Sequence, residues 1–171
     1  MPARIDDLLV LNANLNKTDF AKYLRDREAV LPNDFGGLGD GVADDRTAIQ
    51  AAFDRAGADQ KFAMIPPGTW NVSGTVTLPG GARGLIMQGT IRYTGTAPTS
   101  VLVLGDGGTI RNAEKLYTGL NVIRQTLSDW SSEADIGITV RNVDASQIEL
   151  RRVEGFTIGM RTLGDGRGVE D

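Results

Sequence analysis

The side chains able to do chemistry in this chain are few, and they fall into three places. Asp40, Asp44 and Asp45 lie in "GLGDGVADD", where clustered carboxylates and turn carbonyls suit a hard cation such as Ca2+. Asp129, Glu133 and Asp135 surround Trp130 in "LSDWSSEADIG", and Glu149 stands beside Arg151 in "SQIELRRV". Cleaving a glycan takes two carboxylates at glycosidase separation, or a base with an acidic or metal partner for elimination. The face of an indole such as Trp130 matches the apolar face of a sugar ring.

Composition narrows the choice. Among 171 residues there is no histidine and no cysteine, which removes the commonest general base, thiol nucleophiles, disulfides and zinc thiolate sites. The 22 acidic and 18 basic side chains are spread along the chain, so there is no basic footprint for nucleic acid or an anionic membrane. The apolar stretch Leu8 to Leu11 is too short for a membrane span or a signal-peptide core, and acidic residues precede it where a secretory signal is basic. No membrane insertion is expected.

Each acidic group also has a plainer use. The Asp40 to Asp45 spacing does not follow an EF-hand, and "GGLGDG" lacks the Lys-Ser/Thr ending of a phosphate loop. A turn followed by a helix N-cap accounts for all three residues, since carboxylates are favoured at helix N-termini. They are therefore assigned to the fold, with no metal and no cofactor expected. Trp130 is a glycan-stacking candidate whose plainer role is to cover the core or a subunit interface. Glu149 alternates with Ile148 and Leu150 and so points outward, as any solvated residue would. No catalytic set assembles from these residues.

The elements that would carry them follow from apolar spacing. Between Asp44 and Gly57, Ile49, Ala52, Phe53 and Ala56 fall on one helical face, with Asp44 or Asp45 to start the helix and Gly57 to end it. From Phe62 the period changes to short β-rich runs, "FAMI", "TWNV", "TVTL", "GLIM", "TIRY" and "VLVL", and later "IGITVRNV", "SQIELRRV" and "FTIGMRTLG". Hairpin signals are scarce, so a sandwich fits poorly. A solenoid, in which each strand pairs with its equivalent one coil later, fits well. A solenoid's first coil exposes core and unpaired backbone, and the one-faced helix is suited to cap it. Before all this, Ile5, Leu8, Leu9 and Leu11 form one short helical face, and Phe20, Tyr23 and Leu24 a second. Both are too short to stand alone and need a surface.

"NDFGGLGDGVADDRTAIQAAFDRA" followed by "PPGTWNVSGTVTLPGG" resembles the N-terminal signature of pectate-lyase-like right-handed parallel β-helix proteins. Gly37 stands where that pattern usually has Ala, Arg46 where Thr is common, and Trp70 where Tyr is common. "IGITVRNVDASQIELRRVEGFTIGMRTLGDGRG" and "YLRDREAVLPNDFGG" are similar, more loosely, to bacteriophage tailspike coils and to the junction that precedes them. The resemblance implies a mainly β fold: the start of a right-handed β-helix with an N-terminal capping helix, preceded by a short helical docking segment. It places a virion-docking segment at 1–31 and the helix and first coils at 32–171, with coils continuing past 171. It further implies a homotrimer in the phage tail, partnered by tail or baseplate proteins and, through the complete protein, by a bacterial surface polysaccharide. A lyase, hydrolase or epimerase outside any virus, and a purely structural tail assembly protein, are the alternatives.

Overall fold

Short strands bounded by Gly, Pro, Ser and Asp cannot satisfy their own backbone groups, so where they pair decides the architecture. A computed structural model of the chain describes residues 29–105, 112–113 and 115–164. Every ladder in it is parallel. The first coil holds β1 (Ala29–Val30), a 3-10 turn at Pro32–Phe35 and β2 (Asp40–Asp44), and leads into α1 (Arg46–Asp59). The second holds β3 (Phe62–Ile65), β4 (Thr69–Val72) and β5 (Val76–Leu78). The third holds β6 (Gly84–Met87), β7 (Thr90–Tyr93), β8 (Ser100–Leu104) and β9 (Asn112–Ala113). The fourth holds β10 (Leu116–Arg124), β11 (Ile136–Arg141) and β12 (Val143–Asp144), and β13 (Gln147–Glu154) and β14 (Ile158–Leu163) follow.

Pairing runs between coils. One sheet has the order β1-β3-β6-β10-β7-β4-β2 with β13 added to β10, a second runs β14-β11-β8-β5, and β12 pairs β9. The long strand β10 serves two positions, lying beside β6 through Leu116–Thr118 and beside β7 through Val122–Arg124. Register therefore stacks like residues in columns: Trp70, Ile91, Val122 and Val153 in one, Val76, Leu102, Ile138 and Met160 in another. Inward columns are apolar and merge into one core that includes Ile65, Trp70, Leu85, Ile91, Leu102, Leu120 and Ile138. The expectation of a solenoid in which each strand meets its equivalent one coil later matches these ladders.

Helix α1 buries Ala48, Ile49, Ala52, Phe53 and Ala56, and its neighbours are β1, β3, β5 and the 3-10 turn. Its end differs from the expected one. Gly57 lies inside the helix, which closes at Gln60 in the left-handed region (φ 54°). The reason for Gly57 is packing, since a Cβ there would lie 3.0 Å from Pro79 Cγ. Two other close approaches shape the first coil. Gly39 (φ +63°) leaves room where a Cβ would sit 2.6 Å from the Trp70 ring, and a Cβ on Gly37 would lie 2.9 Å from Trp70 Cζ3. Gly84 (φ +154°) lets β6 pass β10, because a side chain there would run into the Leu116 carbonyl.

Two further features concern the ends of the described part. Ala29 and Val30 pair with Phe62 and Ala63, and Leu31 is buried, so residues 29–31 pack with the solenoid. At the other end Leu150 and Met160 stand in inward columns opposite buried Leu120 and Ile138, yet are 45% and 38% exposed. Among the described residues these two have a covering coil on one side only.

Phe53 is fully buried, so Phe53→Ala should cost about 3–5 kcal/mol in denaturant unfolding; an unchanged midpoint would remove Phe53 from the core. Burial pushes the Tyr117 phenol from 10.0 up to about 12. The native state thus holds this proton after the unfolded chain has lost it. The stability it contributes is full below pH 10.0 and is lost as pH rises through about 12. Urea unfolding across that window should show the loss, and Tyr117→Phe should flatten it.

Candidate functional site

The loop between β10 and β11 leaves the solenoid at Arg124 and returns at Asp135, and these two residues hold it. Their side chains are only 6% and 2% exposed and form an ion pair. The Arg124 guanidinium also donates to the carbonyls of Thr126 (2.7 Å) and Thr96 (3.0 Å) and lies 5.2 Å from the centre of the Tyr93 ring. The second Asp135 oxygen accepts from the Thr157 amide at 3.1 Å. Arg124 and Asp135 thus tie together the turns of three successive coils. Burial raises the Tyr93 phenol above its ordinary pKa, and the nearby Arg124 charge pulls the other way. Tyr93 keeps its proton and donates it to the Ala97 carbonyl at 2.6 Å.

Above this anchor the loop is built on short hydrogen bonds. The Ser128 amide donates to the Gly155 carbonyl (2.9 Å), and its hydroxyl pairs with the Thr157 hydroxyl (2.7 Å) and accepts from the Trp130 amide (3.1 Å). Asp129 Oδ1 accepts from the Ser131 hydroxyl (2.6 Å) and the Ser131 amide (3.0 Å), which hold this carboxyl below the usual range. Trp130 is thereby held at φ 63°, a conformation that costs a non-glycine residue about 1–3 kcal/mol. Its side chain is 64% exposed, and Leu127 in the same loop is 67% exposed. Trp70 is the contrast: it is buried and donates its indole N–H to the Pro66 carbonyl at 2.9 Å. Covering the core of its own chain is therefore the task of Trp70 and not of Trp130.

The other charged residues named from the sequence divide. Glu133 is exposed on this loop, where Arg161 donates to its carbonyl (3.1 Å) and stands 4.0 Å from its carboxylate. Asp135 is withdrawn into the anchor. Glu149 lies on the outer face of β13 and accepts from the Thr118 hydroxyl, with no hydrogen bond or ion pair joining it to the loop among the described residues. Arg152 pairs with Glu154. What sequence reading passed over is Arg124; its only signal is a basic residue closing an apolar run just where a polar loop begins.

The carboxylates of the first cluster are occupied by backbone donors. Asp45 is buried and accepts from the amides of Leu38 (2.8 Å) and Gly39 (3.1 Å). It occupies the N-cap position, but its side chain makes no capping bond, because folding back over the glycine turn uses both oxygens. Asp44 takes the helix amide instead, accepting from Arg46 N (3.1 Å) and from the Ser73 hydroxyl (2.6 Å). Asp40 Oδ1 accepts from the amides of Val42 (2.8 Å) and Ala43 (2.9 Å), which lower its pKa. Ile49 and Phe53 are fully buried. The docking candidates Ile5, Leu8, Leu9, Leu11, Phe20, Tyr23 and Leu24 lie outside the described residues.

No family model matches the chain. Over 41 residues it is 58% identical to the mannuronan C5-epimerase AlgE6 of Azotobacter vinelandii, a match of 23% of this chain and 5% of the epimerase. Among solved structures it resembles the ORF18 protein of Geobacillus virus E2, with a TM-score of 0.58 and 22% identity over 86% of this chain and 29% of that one. The AlgE6 A-module (TM-score 0.47, 24% identity, 79% of this chain and 41% of that one) and the Streptococcus pneumoniae surface protein and adhesin PfbA (0.45, 19%, 83% and 43%) are also similar. The chain spans only a small part of the curated epimerase and under a third of the viral protein. Its parallel ladders, with the fold it shares with the viral protein, give it a parallel β-helix fold.

The anchor and the indole should separate on substitution. Arg124→Ala leaves a buried carboxylate without its partner and should cost about 3–5 kcal/mol, whereas exposed Trp130→Ala should stay within about 0.5 kcal/mol. Thermal unfolding of both variants checks this, and equal losses would make Trp130 part of the fold.

Proposed function

We propose that the chain is the N-terminal part of a bacteriophage tailspike or tail fibre protein. In this reading it attaches to the tail or baseplate and carries a right-handed β-helix for recognition or degradation of a host surface polysaccharide. The observation that carries the reading is Trp130, an exposed aromatic face held by a braced loop on the flank of a parallel β-helix. A flat apolar surface bordered by carboxylates is what a sugar ring, with its C–H face and its rim of hydroxyls, fits best. The fold shared with a Geobacillus virus protein supports the viral setting.

Helix α1 serves as the lid of the first coil in this scheme, for which its five buried apolar residues and its neighbours β1, β3 and β5 are the support. Residues 1–31 supply the docking segment, whose last residues, Ala29 and Val30, already pair with β3. Apolar burial leads that contact, because Arg4, Lys17, Lys22, Arg25 and Arg27 are offset by Asp6, Asp7, Asp19, Asp26 and Glu28. Three copies meet the tail as a homotrimer located in the virion. The second reading, a polysaccharide-modifying enzyme outside any virus, is favoured by the local 58% identity to an epimerase of mannuronan.

Deleting residues 1–28 tests the docking role. The remaining β-helix should unfold cooperatively at an unchanged temperature, while incorporation into phage particles is lost. A truncated protein that still enters particles would refute the docking role, and one that unfolds would assign the segment to the fold.

A further inference from the structure

The geometry points to a preference of the Trp130 loop: we infer that it takes a glycan segment free of negative charge, and that uronate- or phosphate-bearing segments are turned away. This inference rests on the reading of Trp130 as a sugar-stacking face.

The charges around the indole set the preference. Asp129 and Glu133 flank Trp130 on the same loop, and both are exposed. Arg161, a half-buried cation that reaches the loop, is already engaged by Glu133 through its carbonyl and carboxylate. Arg124 is 6% exposed and paired with Asp135, and it gives further N–H groups to the Thr126 and Thr96 carbonyls. With two cations against three carboxylates, of which the inner pair is neutralised at depth, the outer surface of the loop is negative. An anionic sugar laid on the indole would meet the Asp129 and Glu133 carboxylates, while Arg161 and Arg124, the cations bonded to the loop and its anchor, already have partners among the described residues.

The same groups suit an uncharged sugar. A carboxylate only accepts hydrogen bonds, and a hexose hydroxyl donates one. Asp129 spends Oδ1 on Ser131, while its Oδ2 accepts from no group among the described residues. That oxygen can accept from a ring hydroxyl. The Ser131 bonds lower the Asp129 pKa from its ordinary value, which favours the ionised, accepting form. Because the backbone of Trp130 is fixed by Ser128 before any ligand arrives, little ordering remains to oppose a weak stacking contact.

A glycan array carrying uncharged, amino-sugar, uronate and phosphate-bearing glycans, probed at low salt with the intact chain and with Trp130→Ala, decides the matter. Binding that depends on Trp130 should be confined to glycans without negative charge, with acidic counterparts of the same backbone weaker by about tenfold or more. The double substitution Asp129→Asn and Glu133→Gln should narrow that gap while leaving the unfolding temperature unchanged. Trp130-dependent binding of acidic glycans as strong as that of their uncharged counterparts overturns the charge preference. Absence of Trp130-dependent binding to any glycan overturns instead the stacking reading beneath it.

Discussion

Backbone pairing between coils is the constraint on which everything else here depends. A four-residue strand such as β3 or β6 has no partner within its own coil, so its amides and carbonyls are satisfied by the equivalent strand in the coils on either side. Parallel register then forces like positions into columns, and a column facing inward must be apolar along its length. That is why Trp70, Ile91 and Val122 can differ in size yet share one line, and why an error in one coil is felt in two others. The same rule makes the loops stack, since a loop leaving one coil emerges directly above the loop of the coil before.

The loop of residues 125–135 exploits that stacking. It is longer than the turns on either side and would spread into solvent without an anchor at its base. Arg124 and Asp135 provide one at the point where three turns coincide, reaching Thr96 below and Thr157 above. The protruding part is then free to hold a backbone conformation that a tryptophan ordinarily avoids. The fold contributes the foundation, and the chemistry of the loop lies in what it presents outward.

The fold was largely legible in the sequence because its signals are local. The alternation in "FAMI" and "GLIM", the helical spacing of Ile49, Ala52, Phe53 and Ala56, and the Pro-Pro-Gly turn each act over a few residues, and each became the expected element. The site was legible only in its parts. Trp130 and its flanking acids could be named from one short run. That Asp135 would turn inward while Asp129 and Glu133 stayed outside depends on Arg124 and Thr157, which the solenoid brings together and sequence distance conceals. Asp45 shows the same limit, for its position announced an N-cap while its carboxylate went to Leu38 and Gly39.

The packing of Trp70 against the first glycine turn carries a consequence for how such chains can diverge. A methyl group at position 37 would collide with Cζ3 of Trp70, an atom of the six-membered indole ring, and would crowd Ala48 and Pro32 at 3.1 Å. The pattern that this chain resembles has alanine and tyrosine at these two places, and here both are changed together. Positions 37 and 70 are therefore coupled in this structure: the Trp70 ring occupies space that a side chain at position 37 would need. A side chain added at position 37 alone would force the ring, Ala48 or Pro32 to shift.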